Sequence, residues 1–150
     1  MDSYSLQMKN ELIFPAIRDI RNTAYMQEIA DSNSTSVHVR RGDYVTDGLA
    51  MPTVYYHQMV EAMHAHNPDM VLFVFSDQPE WCEEHAQKLG FQLPMKTVYV
   101  TGNQNENAFR DLQLMSMCKN MIISNSAFCY LAAILNRNIC MMINPTDKLI

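Results

Sequence analysis

From residue 36 onward the chain alternates short, continuously apolar runs with stretches of helical spacing. The runs are SVHVR at 36–40, VLFVF at 71–75, TVYV at 97–100, MII at 121–123 and ICMMI at 139–143. Helical patterns fill about 53–66, 79–89, 107–118 and 126–136. A strand with one wet face alternates apolar and polar residues; VLFVF does not, so both of its faces must be covered. Strands separated by helices predict a parallel sheet, and hence an α/β domain of Rossmann-like, three-layer architecture. At 150 residues the chain is long enough for one domain with its own core.

Ahead of the alternation lies a helical lead-in, assigned to 1–35, with the sheet domain over 36–150. Leu6, Ile13, Ile17, Ile20, Tyr25 and Ile29 are spaced for a helix over 6–30, which Pro15 should kink or split. Asp31 to Thr35 read as a turn-forming break. There is no internal repeat and no Pro/Gly-rich linker.

Composition narrows the function classes. Sixteen acidic residues against eleven basic ones give a net charge of −5, so nucleic acid is not an expected partner. No apolar run approaches the ~20 residues of a membrane span, and MDSYSLQMKNEL is not a signal peptide. Cys82, Cys118, Cys129 and Cys140 form no CxxC pair, and buried free thiols are expected. Together these features point to a cytoplasmic protein, with peripheral membrane association left open. The Asn33-Ser34-Thr35 sequon would matter only in a secretory setting.

In an open parallel sheet, ligands bind beyond the carboxyl ends of the strands. Arg40-Arg41-Gly42-Asp43 follows the first run, Ser76-Asp77-Gln78-Pro79 the second, and Ser124-Asn125-Ser126 the fourth. Taken singly, the serines, Asp77 and Asn125 could be helix N-caps, worth ~1 kcal/mol each. Arg41-Gly42-Asp43 could be an adhesion tripeptide, but that needs a protruding loop and this one follows a buried strand. Taken together, helix N-termini beside an arginine pair suit a diphosphate-bearing ligand. GxGxxG and GxxxxGK[ST] are both absent, so arginines rather than glycines would grip the phosphates. No metal site is expected, because His64 and His66 fall late in a helical pattern where their rings diverge.

These junctions carry a family resemblance. His38-Val-Arg40-Arg41-Gly42-Asp43-Tyr44 is similar to the HxRRGDY of the α-1,2-fucosyltransferases, glycosyltransferase family 11. Phe75 to Trp81 resembles their FSDDxxW, and Asp111 to Asn136 their DxxLMSxCKxxIIANSSFSWWxAxLN. Met51-Pro52 and Tyr55-Tyr56 sit like their lPxxYY. The α-1,6- and protein O-fucosyltransferases share the motifs more distantly.

The resemblance implies the donor-binding half of a GT-B-type enzyme. Fucose would pass with inversion from GDP-fucose to a galactoside hydroxyl of a glycan acceptor, with no metal or other cofactor. It assigns the β-phosphate to Arg40, with Arg41, His38 and Asp43 shaping that site. It assigns guanine or ribose to Asp111, phosphate to Ser126 with the Ser124–Asn125 turn, and a place in the same cleft to Ser76 and Asp77. Asp47, or alternatively Asp43, would be the acceptor's base.

Three departures stand against full activity. Gln78 replaces an acid, and SSFSWW becomes Ser126-Ala-Phe-Cys-Tyr-Leu131, where Tyr130 and Leu131 are expected to repack a tryptophan pair. The family's N-terminal domain, with its GGxGNQ-type stretch, has no counterpart here. The alternative reading is therefore a degenerate nucleotide-sugar-binding domain without transferase activity. An uncovered docking face for the other half would also favour self-association.

Overall fold

In a computed structural model that describes residues 14–143, all five apolar runs become strands and pair in parallel. They are β1 (Asn33–Val39), β2 (Met70–Ser76), β3 (Lys96–Tyr99), β4 (Asn120–Ile122) and β5 (Met141–Ile143). The sheet order is β3-β2-β1-β4-β5. Among the described residues seven α-helices accompany them: α1 (Ile20–Ala30), α2 (Gly42–Thr46), α3 (Thr53–His66), α4 (Pro79–Glu84), α5 (Ala86–Leu89), α6 (Ala108–Met115) and α7 (Ala127–Leu135). The fold is the expected Rossmann-like α/β architecture.

The unbroken apolar run of β2 divides between two cores, because successive side chains point to opposite faces. Leu72 and Val74 pack with Val37, Val39 and Ile122 against Tyr56, Met59, Val60 and Met63 of α3 and Leu89 of α5. Phe73 and Phe75 pack with Met121 and Ile123 against Leu114 and Met115 of α6 and Cys129 and Ala132 of α7. Two covered faces make three layers.

Strand order reverses beside β1. The chain steps from β1 to β2 to β3 on one side, then returns to place β4 on the other side of β1. That reversal parts the connections and opens a crevice at the carboxyl ends, the usual ligand position in such sheets.

Several local expectations are corrected. The first helix does not run through 14–30: residues 14–18 are irregular and α1 starts at Ile20, while 6–13 lie outside the described residues. Pro15 lacks a donor for a helical ladder, and Asp19 starts the helix by accepting the Asn22 N–H at 3.0 Å. Ile20, counted as apolar spacing, is 89% exposed. The break at 31–35 is only two residues long, since β1 already begins at Asn33.

The sequon is therefore strand, with Ser34 and Thr35 buried and Asn33 bonded to Asn67 and Asp69. The helix expected over 79–89 breaks at His85, whose Nδ1 pairs with the Trp81 carbonyl. Cys82, Cys118 and Cys129 are buried free thiols, whereas Cys140 is exposed.

Candidate functional site

The register of the two central strands builds the site. Val39 is paired with Ser76, so Arg40 and Asp77 emerge side by side. Ser76 fastens the junction: its hydroxyl donates to the Val39 carbonyl at 2.6 Å and accepts the Gln78 N–H at 3.0 Å.

Arg40 is held from several directions. Its Nη2 donates to Asp43 Oδ1 at 2.8 Å, its Nη1 lies 4.0 Å from Asp77 Oδ2, and its guanidinium sits 5.3 Å from the Tyr44 ring centre. The Arg40–Asp43 pair is largely exposed, so it is worth at most about 1 kcal/mol and an anion can displace it. Gly42 is required here. Its φ is +26°, and a Cβ would come within 2.6 Å of Asp77 Oδ2.

Arg41 does something different. Its backbone N–H donates to Asp77 Oδ1 at 2.8 Å, and its guanidinium lies 3.6 Å from the Trp81 ring centre. Arg41 therefore braces Asp77 and α4 rather than entering the cleft. The adhesion reading loses its basis: Gly42 and Asp43 open α2 two residues after the strand and are helical.

A cleft of about 280 Å³ lies at this edge. It is lined by His38, Arg40, Ser76, Asp77, Asn103, Gln104, Asn105, Ala108, Asp111 and Phe128. Of the residues singled out in the sequence, the fold thus gathers His38, Arg40, Ser76, Asp77 and Asp111. His38 is buried and stacks on Phe128 with ring centres 5.2 Å apart. Burial drives its pKa down to about 4, so the imidazole is neutral at pH 7.

Asp111 accepts from Asn103 Nδ2 at 3.0 Å, yet burial pushes its pKa up to about 7.

The remaining candidates are not among the cleft's lining residues. Ser126 caps α7 by accepting the Phe128 N–H at 3.1 Å, Ser124 is buried beside the Cys129 thiol, and Asn125 donates to the Leu49 carbonyl at 2.7 Å. α7 contributes Phe128 to the cleft instead. Asp47 is exposed at the end of α2, and Asp43 is engaged with Arg40. Among the described residues no three His, Cys, Asp or Glu side chains form a metal-binding group; the His66 ring pairs with the Ala62 carbonyl.

Asn103, Gln104, Asn105, Ala108 and Phe128 escaped the sequence reading. The signal was there: Thr101 to Asn105 follow the third strand, so they must share the edge of the other junctions.

Residues 2–148 match the sequence profile of Glycosyl transferase family 11. The chain belongs to glycosyl transferase family 11.

Among relatives, the chain is 34% identical to the O-antigen biosynthesis glycosyltransferase WbnK of Escherichia coli, over 71% of this chain and 35% of that protein. It is 32% identical to an alpha-1,2-colitosyltransferase of Escherichia coli, over 97% of this chain and 52% of that protein. Human galactoside alpha-(1,2)-fucosyltransferase 1 is 27% identical over 66% of this chain and 28% of that protein. The chain thus spans between about a quarter and a half of the length of these family 11 relatives.

Within the family's third motif the structure corrects one expectation. Leu131 does pack on the second core, but Tyr130 is 41% exposed and belongs to neither core. No helix among the described residues is long and apolar enough to cross a membrane.

Proposed function

We propose that this chain is the donor-binding half of an α-1,2-fucosyltransferase-like enzyme, and that its cleft takes GDP-fucose. The observation that carries the reading is the meeting of Arg40, the neutral His38 and the half-buried Asp111 in one cleft beside the strand-order reversal. In this reading Arg40 leaves Asp43 and takes the β-phosphate, and Asp111 accepts from the nucleoside. The acceptor would be a glycan galactoside, and its binding surface would come largely from outside this chain, which is much shorter than its relatives.

The physics of transfer fits that division. As the glycosidic bond breaks with inversion, negative charge grows on the departing diphosphate. A fixed guanidinium aimed at that charge needs no reorganisation at the moment of reaction, and losing one such donor typically costs ~3–4 kcal/mol. Arg40 meets the requirement because Asp77 and Tyr44 still flank its guanidinium once Asp43 is displaced. Since arginine supplies the charge, EDTA is expected to leave GDP-fucose affinity unchanged; a clear loss in calorimetry would require a metal in the donor site.

The decisive test is calorimetric titration with GDP-fucose, GDP and ADP. Saturable, guanine-selective binding supports the donor site. A folded chain that binds neither guanine ligand would instead be a domain that keeps the fold without the function.

Asp111 gives the site a pH dependence. Its folded-state pKa is raised, so its stability contribution is present below the ordinary value of 3.8 and is lost as pH rises through about 7. Ligand binding runs the other way, because a nucleoside N–H or O–H needs the carboxylate as acceptor. With a pKa of about 7, roughly a tenth of the sites are ionised at pH 6 and about nine-tenths at pH 8. GDP-fucose should therefore bind roughly tenfold more tightly at pH 8 than at pH 6, and Asp111→Asn should flatten the profile. A flat profile in the parent chain would remove Asp111 from the nucleoside site.

A further inference from the structure

Asp111 is the end of a buried polar chain that reaches α1. Asn103 Nδ2 donates to Asp111 Oδ1 at 3.0 Å and to Asn22 Oδ1 at 2.7 Å. Asn22 Nδ2 returns a bond to Asn103 Oδ1 at 2.8 Å and gives its other hydrogen to Asp19 Oδ1 at 3.1 Å. Both amides use both hydrogens, and both residues are buried, at 4% and 7% exposure.

The same helix holds the two preceding loop positions. Tyr25 Oη accepts the Thr101 N–H at 3.2 Å, and the Arg21 guanidinium lies where a Cβ on Gly102 would stand. Gly102 adopts a φ of +92°, so that close approach depends on glycine. Residues 25, 21 and 22 of α1 thus seat 101, 102 and 103 in turn.

We propose that α1 sets nucleoside selectivity, with Asn22 and Asn103 acting as positioning residues that hold Asp111 in one orientation at the cleft. The proposal rests on the donor-site reading above and adds a determinant remote from the sheet edge. A half-buried carboxylate with one oxygen fixed by an amide keeps the other for the ligand. Freed from Asn103, it would turn toward any nearby donor and lose its aim. The phosphate end is independent, since Arg40 is positioned by Asp43, Asp77 and Tyr44 and not by the amides.

Asn22→Leu removes the amide at nearly constant volume and is the first test; Asn22→Ser is the second variant should leucine prevent folding. Calorimetry with GDP and with inorganic pyrophosphate reads the two ends separately. GDP should weaken about tenfold, the size of one lost charge-assisted contact, while pyrophosphate stays within about twofold. In an Asp111→Asn background the Asn22 substitution should add almost nothing to the loss, because both act through one carboxylate.

Equal weakening of GDP and pyrophosphate, or additive losses in the double variant, would overturn the proposal and leave α1 a packing element. Parent chain that binds pyrophosphate but shows no preference for GDP would overturn it as well. Parent chain that binds neither would bring down the donor site itself, and the inference with it.

Discussion

Arg40→Ala is expected to abolish measurable GDP affinity and to leave the fold intact. Two effects add. The diphosphate loses a charge-assisted donor, worth about 1.5–3 kcal/mol. Asp43 and Asp77, which now flank the guanidinium at 2.8 and 4.0 Å, are left facing the anion without a cation between them. A weakening of about 100-fold or more follows. Stability should hardly change, because the Arg40–Asp43 pair is a solvated surface contact. Arg40→Lys keeps the charge but loses the planar fork, so it should fall between parent and alanine. Titration with GDP, alongside thermal unfolding, checks all of this. If the alanine variant binds GDP as well as the parent does, the phosphate does not sit at Arg40.

Phe73→Ala should do the reverse. Phe73 is 0% exposed and belongs to the core between the sheet and α6 and α7. Truncating such a ring costs about 3–5 kcal/mol through lost burial and the cavity left behind. Against a typical stability of about 5–15 kcal/mol, the midpoint of thermal unfolding should fall by roughly 10–20 °C. Phe73 lies three residues short of Ser76 on β2 and does not line the cleft. Well below the transition, GDP affinity should therefore stay near the parent value. A small change in the unfolding midpoint would mean that the core closes over the gap. Strong loss of binding by a folded variant would mean that the strand end moves with its middle. The two substitutions separate the fold from the site.

The same separation decides what could be read before any tertiary structure was known. Strand positions, the three layers and the parallel sheet all follow from local periodicity, whereas the start of α1 and the break at His85 do not. A run such as Val71 to Phe75 has no wet face, and only a sheet covered on both sides satisfies it. The shared edge follows too, because parallel strands must end together. Arg40, Ser76 and Asp77 were therefore legible as neighbours from their places after two strands.

What periodicity cannot record is which polar atom meets which. Arg40 and Arg41 are adjacent and chemically alike. Only the packed structure sends one guanidinium into the cleft and lays the other on Trp81. Ser126 caps its own helix, while Phe128, two residues on, lines the cleft. Asn22 is one polar position in the lead-in helix, yet it meets Asn103 across 81 residues of sequence. Hydrogen bonds of this kind depend on how a helix docks against a loop, and docking is set by the whole core at once. The sequence thus determined the scaffold and the edge where the cleft lies; tertiary packing alone decided which side chains line that cleft and what holds them there.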